Sequence, residues 1–277
     1  MFNAMSRAEI WLQDTLDQSL SIEDLANHLG YSASQVRRQF RHCFNTSPNA
    51  YREQRRLERA AVLLSLTPQN IAHIAIRCGY ANHSSFSRAF QRRYQLTPRH
   101  YRQALSDMRH LTPPRKQFTT TIEKSRPRQA IFMRVYKAPD AIKGLGNTSC
   151  HSSHLACFEA HLSCATPTVA LPDLLADKVE ALDTQANTHT FRTDIGLYLD
   201  PSANTESLAL PVDYRRVEIP SQHYAKTRFD GFDELSDALT ATLRQLANQT
   251  HRFYVSGEAP RVLWQSDHLE LRIPLLG

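Results

Sequence analysis

The chain has 277 residues, 41% hydrophobic and 22% charged, with a net charge of +6. That length suggests two domains, each large enough for a core of its own, and no apolar run is long enough to form a membrane-spanning helix. The opening "MFNAMSRAEIW" lacks the basic head and apolar stretch of a signal peptide, and an odd five cysteines do not make a secreted disulfide framework, so a soluble cytoplasmic protein with reduced thiols and no membrane contact is expected.

The charge is uneven. Residues 1–116 carry 17 Lys+Arg against 8 Asp+Glu; the remainder carries 16 against 19. Lys116 is the one lysine among those 17 cations, and the rest are Arg. The planar fork of Arg grips phosphate and guanine in bidentate fashion. The basic half therefore points to nucleic acid, the alternative being a merely solvated cationic surface.

In chain order, "SRAEIWLQDTLDQSL" predicts a first helix capped by Ser6 and Glu9. Then "IEDLANHLGYS" at 22–32 is matched by "IAHIAIRCGYA" at 71–81. Ile22, Leu25, Ala26 and Leu29 fall on one helical face, as do Ile71, Ile74, Ala75 and Cys78. Gly30 and Gly79 sit where each helix would end in a left-handed turn. A second helix follows in each copy. Ser32 and Gln35 form a capping box ahead of the apolar stripe Val36, Phe40, Cys43 and Phe44, and Asn82 caps a helix whose stripe is Phe86, Phe90 and Tyr94. The offset is 49 before the turn and 50 after it, so the second turn holds one extra residue. The phrases "FNTSPNAYR" (44–52) and "YQLTPRHYR" (94–102) close the copies. Ser47-Pro48 and Thr97-Pro98 are starts for further helices, the first running to about Ser65 as a rigid spacer. Each copy thus reads as a helix-turn-helix.

Opposite its apolar stripe, the second helix of the first copy carries Ser34, Gln35, Arg37, Arg38 and Arg41. Its counterpart carries His83, Ser84, Ser85, Arg88 and Arg92. Short or forked donors near a helix start can reach base edges, with cations farther along for phosphate. Two such helices on a rigid spacer can enter successive major grooves, about 34 Å apart on one DNA face.

These residues, and "IAHIAIRCGYANHSSFSRAFQRRYQLTPRHYR" above all, resemble the AraC/XylS transcription-regulator signature: helix, Gly-aromatic turn, recognition helix, Thr-Pro-x-x-Tyr-Arg ending. The resemblance covers about 100 residues. It implies two helix-turn-helix units in one polypeptide, an asymmetric promoter site and contact with RNA polymerase. The N-terminal placement is similar to the Rob-like subgroup. By that resemblance base-edge contacts fall on Ser34, Gln35, Arg37 and Arg38, and on His83, Ser84, Ser85 and Arg88. At Ser34 the sequence departs from that subgroup, which carries a large aromatic there, so a different target sequence is expected.

"LTPPRKQ", with Pro113-Pro114 and no apolar period, marks a linker over 108–126. Beyond it, 129–136, 194–200, 215–220, 223–229 and 268–276 read as strands. Residues 231–249 read as an amphipathic helix with Phe232, Leu235, Leu239, Leu243 and Leu246 inward, giving an α+β domain. The Rob-like resemblance implies a GyrI-like effector domain here, two β-α-β-β halves around a groove. "HLELRIPLL" is similar to its closing strand, with Glu270 four residues before Pro274. In that family such a glutamate sits in an aromatic-lined groove facing cationic or amphipathic ligands, the alternative being a strand Glu in solvent. Trp264, Tyr198 and Tyr254 are candidate walls. Cys150, His154, Cys157, His161 and Cys164 alternate at spacings of four and three. On a helix they would share one stripe, either packed against Leu155, Phe158 and Leu162 or able to sense metal or thiols.

The expected protein is multi-domain: an all-α double helix-turn-helix domain over 1–107, the linker, and an α+β GyrI-like domain over 127–277. Expected partners are double-stranded promoter DNA, RNA polymerase and a small-molecule effector or protein partner, with the chain a monomer or homodimer. No resident cofactor or metal and no catalytic residues are assigned. A GyrI-like small-molecule-processing enzyme and a nucleoid-type architectural protein are the alternatives.

Overall fold

The computed structural model describes residues 2–106, 114–136, 166–180, 192–199, 210–248 and 252–276, which fall in two compact units, Met1–Met108 and Arg109–Gly277. The Cys/His stripe at 150–164 lies outside the described residues.

The described part of the first unit is helical: α1 (Phe2–Asp14), α2 (Ile22–Leu29), α3 (Ala33–Phe44), α4 (Pro48–Leu66), α5 (Ile71–Arg77), α6 (His83–Tyr94) and α7 (Pro98–Ser106). Local chemistry sets most of these boundaries. The Ser32 and Gln35 box opens α3, Asn82 accepts from the Ser85 N–H at the start of α6, and Ser47 caps α4 with Pro48 in its first turn. Gly30 (φ 74°) and Gly79 (φ 79°) both adopt the left-handed conformation. The second turn holds the extra residue, Ala81, between Tyr80 and the Asn82 cap.

The repeated phrase builds the scaffold twice. Asn45 (φ 55°) and Gln95 (φ 57°) end α3 and α6 in left-handed caps. Tyr51 then packs edge-on to Phe40 at 5.5 Å, and Tyr101 edge-on to Phe90 at 5.1 Å. The arginine that follows reaches back to the start of its own unit: Arg52 donates to the Leu20 carbonyl, one residue before the α2 cap Ser21, and Arg102 donates to the Gln69 carbonyl (2.6 Å), one residue before the α5 cap Asn70. Each copy is thereby closed on itself. Phe40, Phe86 and Phe90 are fully buried, each contributing about 1.5–3 kcal/mol of transfer free energy. Cys78 is also buried, and burial pushes its thiol up to about 11, so it is a core residue and not a nucleophile.

One helix start differs from the expected one. Helix α1 begins at Phe2, so Ser6 lies inside it. Glu9 does not cap the helix but is buried, its carboxylate accepting from the Tyr51 hydroxyl at 2.6 Å. The pair ties α1 to α4 across a core that includes Met5, Ala8, Leu12, Leu25 and Val36.

In the second unit the strands are β1 (Thr120–Lys124), β2 (Arg128–Val135), β3 (Thr166–Ala170), β4 (Thr193–Tyr198), β5 (Tyr214–Ile219), β6 (His223–Phe229), β7 (Tyr254–Val255), β8 (Arg261–Trp264) and β9 (Leu269–Leu276), with helices α8 (Leu174–Glu180) and α9 (Leu235–Asn248). They form one antiparallel sheet in the order β1-β6-β9-β8-β3-β4-β2-β5, with β7 also on β9. Strand β1 lies inside the stretch 108–126 expected as a linker, and pairs with β6. The expected helix over 231–249 starts as a 3-10 turn, Phe232–Glu234, before α9, and Phe232 stacks on Trp264 instead of entering the core.

The sheet cannot be flat. Strands β1 and β2 stand six places apart in it, about 29 Å at ordinary strand spacing, yet only residues 125–127 connect them. Four Cα steps reach about 14 Å at most. The equally short connection 220–222 links β5 to β6, and the two cross side by side. Ser125 N donates to Gln222 O (2.8 Å), and Ser221 Oγ donates to Ser125 O (2.8 Å). The sheet is therefore rolled. On its outer face α9 packs against β6, β1 and β9, tied by the buried hydroxyls of Thr120, Thr227 and Thr242 (2.8 and 2.7 Å).

Candidate nucleic-acid interface and the concave face of the sheet

Because Val36 and Phe40 point into the core, the opposite side of α3 is turned outward. Ser34, Gln35, Arg37, Arg38 and Arg41 are all exposed. On α6, Phe86, Ala89 and Phe90 are buried, and His83, Ser84, Arg88 and Arg92 are exposed with Ser85 half-buried. Each helix thus brings its five sequence-predicted residues to one solvent-facing side.

Their hydrogen bonds sort these residues further. Gln35 Oε1 accepts from the Ser32 N–H (3.0 Å), and Ser85 N donates to Asn82 Oδ1 (2.8 Å), so both residues are used in holding helix starts. Ser34 Oγ lies 3.1 Å from Ser32 Oγ, and His83 Nε2 lies 3.4 Å from Ser87 Oγ. Arg37 is clamped by Glu23 of α2 (3.0 Å) and Arg92 by Glu53 of α4 (2.9 Å). Arg38, Arg41 and Arg88 have no carboxylate partner among the described residues. The unpaired guanidiniums include the matched pair Arg38 and Arg88, fifty residues apart. A guanidinium on a rigid helix, not neutralised by its own protein, is what a phosphate or a guanine edge requires.

Behind α3 and α6, arginines hold the scaffold together. Arg56 Nε donates to Leu16 O (2.6 Å) and its Nη2 to Gln18 O (2.9 Å), stitching the turn after α1 to α4 beside Gly79. Burial lowers the pKa of Arg52, Arg56 and Arg102 from the ordinary value; all three remain charged at neutral pH.

In the second unit, strand alternation places Glu270 on the concave face, opposite α9. Its neighbours across the sheet are Arg228 on β6 and Leu263 on β8. The glutamate is buried and already has a counter-charge: Arg272, two residues on and so on the same face, donates to Glu270 Oε2 from Nη2 (2.7 Å) and Nε (3.2 Å). A cationic ligand for Glu270 would have to displace that ion pair. Trp264, expected as a groove wall, has the parity of Val262 and lies on the other face, against Phe232. Tyr254 pairs with Leu276, about 20 Å along β9 from Glu270 at 3.3 Å per residue. Tyr198 alone of the three walls lies beside Arg272, and both line a small depression of about 20 Å³.

Six strands contribute to that depression, which lies where connections 125–127 and 220–222 cross. Arg126, Arg128, Arg261 and Arg272 line it together with Tyr198 and Tyr224. Arg272 stacks over the Tyr224 ring at 4.8 Å, and burial pushes the Tyr224 hydroxyl up to about 12. None of these arginines was singled out from the sequence. The signal was there for Arg272 alone, which shares the parity of Glu270; the convergence of the others depends on the roll of the sheet. Farther along the concave face Asp194 is held by Arg134 (Nε, 2.7 Å) and Arg215 (Nη2, 2.7 Å). Burial alone would raise its pKa, but the two guanidiniums keep the carboxyl well below the usual range.

Residues 25–104 match the family model described as a helix-turn-helix domain. The regulatory protein SoxS of Escherichia coli K12 is 39% identical over 95 residues, 34% of this chain and 89% of that protein. The TetD protein of transposon Tn10, from Escherichia coli, is 37% identical over 93 residues, 34% of this chain and 67% of that protein. The transcriptional regulator Rob of Salmonella typhimurium is 37% identical over 95 residues, 34% of this chain and 33% of that protein. The chain thus spans about a third of the length of Rob.

Proposed function

The chain belongs to the AraC/XylS family of helix-turn-helix transcription regulators, and from that premise we propose that it binds promoter DNA through two recognition helices, α3 and α6, under the influence of its second unit. The observation that carries the reading is the matched pair Arg38 and Arg88. Both are exposed, both lack a carboxylate partner among the described residues, and both sit at equivalent places on duplicated scaffolds. On this reading Arg38, Arg88, Ser34, His83 and Ser84 face base edges, and Arg41 takes phosphate. Arg37 and Arg92 exchange Glu23 and Glu53 for phosphate on binding. Gln35 and Ser85 keep the helix starts in place, with base contact available only by giving up those bonds. RNA polymerase is the partner proposed for the DNA-bound protein.

The second unit is proposed to be a GyrI-like effector domain that takes a small molecule or a protein partner. Supporting this are the offset of Glu270 from Pro274 in β9 and the rolled antiparallel sheet with a lined concave face. On this reading the domain takes in β1, which pairs with β6. Genome-wide occupancy, compared with transcript changes after deletion of the gene, tests the functional reading. Discrete promoter peaks beside regulated transcripts are expected. A flat occupancy profile with no local transcript changes would contradict it and favour an architectural role.

A further inference from the structure

We propose that the depression on the concave face is a binding site for a small oxyanion, the carboxylate or phosphate group of an organic effector, held by Arg126, Arg128, Arg261 and Arg272. The inference deepens the reading of the second unit as an effector domain and reverses the ligand charge that Glu270 alone would suggest.

Charge bookkeeping at the site carries it. Four guanidiniums line the depression, and among the described residues no Asp or Glu lines it. The nearby carboxylates are occupied or turned away. Glu270 pairs with Arg272. Glu123 accepts from the Tyr224 hydroxyl (2.9 Å) and from Lys226 Nζ (2.5 Å). Glu258 is exposed and reaches Gln222 (3.2 Å). Arg126, Arg128 and Arg261 have no carboxylate partner among the described residues; Arg261 instead faces the side-chain amide of Gln222 (3.1 Å) and the Tyr198 hydroxyl. Like charges gathered in a concavity focus a positive potential there, which an anion relieves and a cation would worsen.

The geometry suits an oxyanion. Arg presents forked donors that match carboxylate and phosphate. These four come from β2, β8, β9 and the connection 125–127, so their directions converge from different sides. The depression, about 20 Å³ at its floor and open to solvent, has room for a small polar group between the guanidiniums. Ile219, Pro274 and the tyrosine rings give a short apolar body a wall to lie on.

The test is calorimetric titration of the full chain with inorganic phosphate, with benzoate and with tetramethylammonium, repeated on Arg128→Gln/Arg261→Gln. The control is Arg115→Gln/Arg252→Gln, which removes the same charge from exposed positions outside the depression. Saturable binding of at least one anion is expected, weakened tenfold or more in the first variant and unchanged in the control, with no heat from tetramethylammonium. Stronger phosphate binding assigns the site to phosphate esters, and stronger benzoate binding to carboxylates. Absence of anion binding, equal binding by both variants, or preference for tetramethylammonium would overturn the proposal. Anion binding that leaves promoter occupancy unchanged would support the site while refuting the effector reading.

Discussion

Gly30 and Gly79 share a left-handed backbone, φ 74° and 79°, but not a setting, and replacing each by alanine separates the two. An alanine in that conformation costs about 1–2 kcal/mol, less a few tenths for the stiffer unfolded chain. At Gly30 nothing lies within 4 Å of the new Cβ, so Gly30→Ala should cost about 1 kcal/mol and no more. At Gly79 the Cβ would stand 2.3 Å from the Leu16 carbonyl oxygen and 2.7 Å from Arg56 Nη2. The carbonyl must retreat, and Arg56 loses its bonds to Leu16 O and Gln18 O (2.6 and 2.9 Å). At the lower end for charged hydrogen bonds, about 1.5 kcal/mol each, Gly79→Ala should cost about 4 kcal/mol in all. Urea unfolding of the full chain, followed by helical circular dichroism, measures both. Footprinting should show Gly79→Ala losing the half of the site read by α6 first. Equal destabilisation by the two substitutions would refute the packing account of the second turn.

Arg38→Ala and Arg88→Ala should each lose about 1–3 kcal/mol of base discrimination, in different halves of the site, as read by selection from randomised duplexes; uniform weakening on all sequences would assign both to phosphate. Asp194→Asn should cost about 3–5 kcal/mol by leaving Arg134 and Arg215 without their buried counter-charge. Since the folded state holds that carboxyl below its unfolded value near 3.9, the wild type keeps this contribution above about pH 4 and loses it progressively below; thermal melts from pH 3 to 7 should show a steeper acid loss in the wild type than in the variant. Gln95→Gly should stabilise the chain by about 0.5–1 kcal/mol by relieving a left-handed glutamine (φ 57°), while Asn45→Gly changes little because asparagine tolerates that conformation. A lower urea midpoint for Gln95→Gly would count against this.

Most of the helical half was legible because its signals are local. Caps, glycine turns and a 3.6-residue apolar period lie within a few residues of one another, and duplication states each twice. Ser6 and Glu9 misled because a capping-box spacing does not reveal that Tyr51, 42 residues on, claims the carboxylate. The sheet was legible only in part. Strands β2, β4, β5, β6 and β9 carry apolar or alternating runs, whereas β1 is the polar edge sequence Thr-Thr-Ile-Glu-Lys, β3 contains Pro167, β7 has two residues and β8 four. Pro274 did not disqualify β9. Its carbonyl accepts from Ser256 N (2.9 Å), so its missing N–H falls on the same side, in the gap between β8 and β7. Parity placed Glu270 on the concave face, but the partner that neutralises it depends on side-chain reach. The arginines of the depression meet only because two three-residue connections roll the sheet, which no local pattern announces.

The central claim is that the first unit grips duplex DNA by charge on two helices. Titration of the full chain with its promoter site at increasing salt tests it most directly. Arg41 is exposed without a carboxylate partner among the described residues, and Arg37 and Arg92 can exchange Glu23 and Glu53 for phosphate. With about 0.9 in log K per log salt for each phosphate neutralised, these three contacts predict a slope of about −2.7 or steeper, shallower by about one in any variant that loses a phosphate contact. Binding that is independent of salt, or no binding to duplex DNA, would contradict the account.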